Sequence, residues 1–284
     1  MVAPFYRMTS ESSPANDSVS PLPPGLAARL QKHEQFASAV MGTSHDLIVY
    51  LPPMYRTALQ KRFPVLYMQD GQNLFDPGTS FVPGNYWHMG ETADGLIEGG
   101  AIEPLIIVGV YNTGEKRIDE YTPVQDSRLG GGRADAYGRM LVEELKPFID
   151  AQYRTRPEVP YCGLGGSSLG GLVTLYLGLR YPDTFSRLAV VSPSVWWRRR
   201  VILRTVAAVS AKPDLRIWLD IGGKESTRAV PDARALRDIL IQKGWRLDQD
   251  LAYTEIENAE HTESAWAQRV APMLQFLFPA PDCD

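Results

Sequence analysis

The stretch "YCGLGGSSLGGL", residues 161–172, sets two serines inside a cluster of glycines, between an apolar run and a second apolar segment that reads as a helix. A serine nucleophile held on a sharp strand-to-helix turn carries the pattern Gly-x-Ser-x-Gly, because the strained bend leaves little room for side chains around it. Gly166-Ser167-Ser168-Leu169-Gly170 fits that frame, whereas the frame one residue earlier puts Leu169 where the second glycine is needed. Ser168 is therefore the candidate nucleophile. The Leu169 N–H, at the start of the following helix, is a candidate donor to a developing oxyanion. Other glycine-rich chemistry fits poorly. A phosphate-cradling loop would end in Gly-Lys-Ser/Thr, and a dinucleotide fingerprint begun at Gly163 would need glycine at position 168.

A serine alcohol is a weak nucleophile until a base takes its proton, so a histidine is required. The chain has His33, His45, His88 and His261, and only His261 follows Ser168. It lies in "IENAEHTESAW", after the last expected strand and before the last expected helix. His45 opens a strand and His88 follows Trp87 in a long loop, where either can be purely structural. With a chain order of serine, acid, histidine, the acid must fall between them, and "LRIWLDIGGKES" offers Asp220 and Glu225. Asp220 sits within the strand and would point into a packed layer. Glu225 follows the Gly222-Gly223 turn and can reach His261, so it is favoured as the group that holds the imidazole tautomer. A second oxyanion donor is expected from the loop after "PVLYMQD", at the Gln72 N–H beside Gly71.

These groups need a scaffold that brings distant segments to one edge. After Gly25 the chain alternates apolar strand-like runs with helical stretches, the pattern of a mostly parallel sheet with helices on both faces. Strands are expected at 45–51, 64–70, 105–111, 160–166, 187–193, 215–222 and 250–256. Helices are expected in "DAYGRMLVEELKPFIDAQY", bent by Pro147 with Tyr137, Met140, Leu141, Leu145 and Phe148 on one stripe, then after the glycine cluster, in "VPDARALRDILIQKG" and in "ESAWAQRVAPMLQFLF". Two long segments rich in Gly, Asn and Asp, roughly 71–88 and 112–134, read as loops that could build a site.

The chain has 284 residues with a formal net charge of −4, which gives no reason to expect nucleic acid or an anionic membrane as partner. "WWRRR" at 196–200 is the one dense basic run and reads as a solvated helix start. No Cys/His spacing suggests a metal site, and Cys162 and Cys283 are a poor disulfide pair. The first 25 residues, rich in Pro and Ser, read as a disordered or loosely attached arm without the features of a secretory leader. A cytoplasmic protein with a single domain over residues 26–284 is expected, and its oligomeric state is open.

Taken together, "VLYMQDGQNLFD", "EKRIDEYTP", "GGSSLGG", "SPSVWW", "IGGKE" and "EHTESAW" resemble the esterase family of α/β-hydrolases that contains esterase D, enterochelin esterases, and acetylxylan and feruloyl esterases. The resemblance covers about residues 40 to 278. It implies an α/β-hydrolase fold without a large cap domain and, residue by residue, Ser168 as nucleophile, His261 as base and Glu225 as acid. Some siderophore esterases of the family work with a serine and histidine dyad. The implied chemistry is serine hydrolysis of a small or medium ester, whether a short-chain acyl, acetylated or aromatic ester or a siderophore lactone, without a cofactor. Acyl transfer to another alcohol, or ligand binding without catalysis, are the alternatives. Arg117, Asp119 and Glu120 would pair with one another or, Arg117 above all, face the substrate. Trp196 and Trp197 would wall an acyl or aromatic pocket, unless one of them belongs to the core.

Overall fold

A computed structural model describes residues 22–281. Its strands are β1 (Leu30–Ser38), β2 (Thr43–Tyr50), β3 (Val65–Gln69), β4 (Ile106–Val110), β5 (Cys162–Ser167), β6 (Arg187–Val191), β7 (Arg216–Gly222) and β8 (Leu251–Ile256). They form one sheet in the order β1-β2-β4-β3-β5-β6-β7-β8. β2 runs antiparallel to both β1 and β4, and every pairing from β4 to β8 is parallel. Successive residues of a strand point to opposite faces, and the core divides accordingly. Leu47, Val49, Val65 and Tyr67 lie in one buried cluster, while Ile48, Tyr50, Leu66 and Met68 lie in the other.

Helices cover both faces. They are α1 (Pro24–Ala27), α2 (Met89–Glu98), α3 (Arg117–Tyr121), α4 (Ala134–Arg139), α5 (Lys146–Gln152), α6 (Leu169–Arg180), α7 (Trp197–Ala207), α8 (Ala229–Gln242), α9 (Glu263–Ala267) and α10 (Val270–Leu277). Leu172 and Val173 of α6, Ile202 of α7 and Leu236 of α8 belong to the first cluster. Ala93 of α2 and Met273, Leu274 and Leu277 of α10 belong to the second. The expected mostly parallel α/β architecture is present. All seven expected strands occur within two residues of their expected ends.

β1 was not expected. Its sequence, "LQKHEQFAS", is polar and largely exposed, which an edge strand tolerates because only one side of it is paired. Gln35, at φ 54°, sits where its register with β2 shifts between His33 and Phe36.

The helix around Pro147 also departs from expectation. A π-helical stretch, Met140–Leu145, joins α4 to α5, where a bend had been expected. A proline cannot donate to the turn before it, and the wider π turn accommodates that loss. The extra residue per turn rotates the apolar stripe, so Ile149 is buried in place of Phe148, which is half-buried against His33 and Phe36.

Most of the expected N-terminal arm, residues 1–21, lies outside the described residues, as does Cys283. Leu22, at the arm's end, packs against the second cluster beside the buried Leu26. Among the described residues no helix is long and apolar enough to cross a membrane.

Candidate active site

The turn from β5 to α6 carries Ser168 at φ 60°, ψ −120°, a conformation rare for any residue but glycine. Close packing explains its glycines unequally. A Cβ on Gly166 would come 2.7 Å from Gln69 Oε1 and 3.0 Å from the Gly170 carbonyl carbon, whereas at Gly170 the nearest atom would be Gln69 Cβ at 3.3 Å. The crowding is strictest just before the serine. Ser167 is buried in the strand, while Ser168 is partly exposed at its end, with its N–H bonded to the Val191 carbonyl of β6 at 3.0 Å. Ser168 Oγ lies 3.3 Å from Ser194 Oγ.

Beyond β7, the turn at Gly222 and Gly223 returns Glu225 to the strand end. Its Oε1 accepts from the Gly222 N–H at 2.7 Å and from Ser192 Oγ at 2.5 Å, and its Oε2 lies 2.8 Å from His261 Nδ1. Burial pushes the Glu225 carboxyl up, but the His261 hydrogen bond and charge, with Ser192 and Gly222, outweigh it and hold the pKa below the ordinary glutamate value. His261 follows β8, just before α9, whose N-cap Thr262 accepts from the Ala265 N–H at 3.3 Å. Its ring stands edge-on to Trp266, with centroids 4.9 Å apart. Nδ1 faces Glu225, and Nε2 has no hydrogen-bond partner among the described residues. No hydrogen bond joins Ser168 to His261 in this arrangement, although Ser194, two residues past the Glu225 partner Ser192, touches Ser168.

Asp220 has a different environment. It is wholly buried and accepts from Trp218 Nε1 at 2.6 Å, the Ser192 N–H at 3.2 Å and Arg269 Nη1 at 2.8 Å. Burial raises its pKa in spite of Arg269. Ser192 and Arg269 are parts that sequence reasoning missed. Ser192 Oγ donates to Glu225 while accepting from Trp266 Nε1 and Arg269 Nη1, and Arg269 Nη2 lies 3.6 Å from Glu225 Oε1. The polar "SPS" directly after an apolar strand was the available signal for Ser192 and Ser194. Arg269, in a helical stretch, gave none.

On the other side of Ser168, Asp70 directly follows β3 in a left-handed conformation at φ 57°, and the Gly71–Asn73 turn comes next. A Cβ on Gly71 would fall 2.4 Å from the Gly109 carbonyl carbon, so only glycine lets this turn lie against β4. Neither the Gln72 N–H nor the Leu169 N–H has an acceptor among the described residues. Asp70 accepts from Arg117 Nε and Nη2, both at 2.7 Å, and from Asn112 Nδ2 at 2.7 Å. Arg117 thus pairs with Asp70, although the expected choice had been its neighbours or the substrate. Glu120 pairs with the buried His45 at 3.1 Å, and Asp119 accepts from the Gly131 N–H at 2.8 Å. Asn73 Nδ2 donates to Glu263 Oε1 at 3.2 Å, tying this turn to the His261 segment, a link that the sequence did not signal.

The two tryptophans part company. Trp197 is 1% exposed and donates from Nε1 to the Val124 carbonyl at 2.8 Å, so it is a core residue and cannot wall an open pocket. Trp196 is 53% exposed. His88 lies over Tyr86, 3.7 Å from Glu91, and His33 bonds Tyr153, so neither joins the Ser168 region.

Comparison with known proteins bears on the fold and the family. The endo-1,4-beta-xylanase/feruloyl esterase of Xylanibacter ruminicola is 31% identical over 248 residues, 86% of this chain and 30% of that one. The ferri-bacillibactin esterase BesA of Bacillus subtilis is 30% identical over 158 residues, about half of each chain. An IroE-like serine hydrolase from Shewanella oneidensis superposes with a TM-score of 0.72 at 22% identity, covering 88% of this chain and 80% of that one, a likeness of fold. The model of a family described as "Putative esterase" matches residues 38–277, from the end of β1 to the end of α10, and the chain belongs to that family of ester hydrolases.

Proposed function

We propose that the protein is a serine carboxylic-ester hydrolase acting through an acyl-enzyme. Ser168 is the nucleophile, His261 the general base and Glu225 the group that orients the imidazole. With Nδ1–H donated to Glu225, neutral His261 keeps Nε2 as an acceptor, and rotation of the Ser168 side chain away from Ser194 offers its proton to that nitrogen. Oγ attacks the ester carbonyl, and the resulting oxyanion takes the Leu169 and Gln72 N–H groups. Each donor is worth about 3 to 4 kcal/mol in such sites. Collapse expels the alcohol, which takes the proton from His261, and water then repeats the sequence on the acyl-serine. No cofactor enters the cycle.

The observation that carries this reading is the positive φ of Ser168 between β5 and α6. A non-glycine residue held in that conformation at a strand end is a recurrent mark of function. Between β6 and β7 the chain forms only α7, which favours an open cleft over a lidded one and hence a substrate of small or medium size. The named relatives point to feruloyl-type esters or siderophore lactones as the substrate classes to try first.

A fluorophosphonate probe should label the wild-type protein at Ser168, and Ser168→Ala should lose both labelling and p-nitrophenyl ester hydrolysis. A folded wild-type protein that takes no label would overturn the reading. Product analysis with added alcohols separates hydrolysis from acyl transfer.

A further inference from the structure

A cleft of about 560 Å³ is bounded by Val124, Arg198, Arg199, Val201 and Arg204. That volume falls within the range of small-molecule sites. The positive charge of its arginines is mostly uncompensated by carboxylates among the described residues. Arg198 lies 3.3 Å from Asp126, and Arg204 donates to the carbonyls of Arg199 at 3.0 Å and Arg198 at 3.4 Å. Arg199 has no carboxylate partner among the described residues, and Arg200 turns away to Asp232. Three guanidinium groups therefore face a single carboxylate in a protein whose net charge is −4. The backbone that presents them is unusual as well, for Arg198, Arg199 and Arg200 hold φ of 43°, 56° and 60°. L-residues rarely adopt that left-handed conformation in succession.

Its place in the fold links the cleft to the chemistry. Arg198 follows Ser194 by four positions, a stretch that spans at most about 14 Å when extended, and Ser194 Oγ is 3.3 Å from Ser168 Oγ. Val124 comes from the segment after β4, and the arginines from the segment after β6, so both leave the sheet at the strand ends where Ser168 stands. Between Ser194 and Arg198 lies the exposed ring of Trp196, a surface for an apolar stem.

We infer that this cleft binds a carboxylate at the far end of the ester substrate. The preferred ester would then carry an apolar spacer, laid over Trp196 and bounded by Val124 and Val201, ending in an anion held by Arg199 and Arg204. Guanidinium groups match the planar, two-oxygen geometry of a carboxylate. The inference rests on Ser168-based hydrolysis and names the substrate class for that same site.

The test compares mono-p-nitrophenyl esters of straight-chain dicarboxylic acids, from succinate to dodecanedioate, with neutral p-nitrophenyl esters of matched length. The ratio of kcat/KM, diacid ester over neutral ester, should exceed one at a particular spacer length and decline with added salt. In Arg199→Gln that ratio should fall about tenfold or more, as loss of a charge-assisted hydrogen bond implies, and Arg204→Gln should lower it in the same direction. A ratio at or below one at every length, or a ratio that Arg199→Gln leaves intact, overturns the inference while leaving ester hydrolysis standing. If even the neutral esters are untouched, the hydrolase reading itself fails. Calorimetric titration with the free diacid at the best length then decides whether the cleft binds the anion: saturable heat lost in Arg199→Gln upholds the site, and no heat overturns it.

Discussion

Asp220 and Glu225 are five positions apart and meet opposite environments. Asp220 is sealed among Trp218, Ser192 and Arg269, and burial raises its pKa. Glu225 is also buried, yet its partners hold it below the ordinary range. A carboxyl depressed on folding contributes stability that is complete above its unfolded pKa of about 4.3 and is lost as pH falls through the lower folded value. Glu225 therefore stays ionised to lower pH than an ordinary glutamate. We expect the acid limb of kcat/KM to show the uptake of one proton, and a slope of two would mean that the carboxyl titrates with it. A rate with no acid limb at all would remove His261 from the mechanism. Glu225→Gln should lower kcat by about a hundredfold or more by losing the tautomer that frees Nε2. Asp220→Asn should act on stability, at a cost of about 3 to 5 kcal/mol for upsetting a buried ion pair, read as a lower Tm. The sequence distinguished these two acids because one fell inside an apolar strand and the other after a glycine turn. It hinted at Ser192 only through the polar "SPS" after an apolar strand and could not disclose Arg269, whose importance comes only from the atoms around it.

Among the elements, apolar strands were the most readable, since continuous buried runs such as "LIIVGV" leave few alternatives. β1 escaped notice because an edge strand needs little apolar sequence of its own. The π-helical stretch escaped for another reason. Periodicity assumes a fixed turn, and one wide turn moves every later residue around the axis. Its consequence is measurable. Ile149→Ala should cost about 2 to 5 kcal/mol, because Ile149 is fully buried, and Phe148→Ala, at a half-exposed position, should cost less. Chemical denaturation of the two variants would check the order. An equal or reversed order would mean that the stripe follows the regular helical period.

At the scale of the whole molecule, Cys162 tests how tightly the sheet is closed. It is free, 1% exposed on β5, and burial pushes its thiol up to about 11. In Cys283→Ser protein, we expect Cys162 to resist thiol reagents at neutral pH in the native state and to react in full once denatured. Rapid native reaction would mean that β5, the strand beneath Ser168, opens readily. The mixed sheet order, with β4 inserted between β2 and β3, was the part of the architecture that residue patterns did not disclose, because neighbours in a sheet are chosen by long-range packing. Ser168, Glu225 and His261 follow β5, β7 and β8, and among the described residues β8 is both the last strand in sequence and the outermost on its side. A ribosome making this polypeptide thus releases the hydroxyl well before the imidazole. On the proposed mechanism, a half-synthesised copy can attack nothing, and the arrival of that outer strand arms the protein.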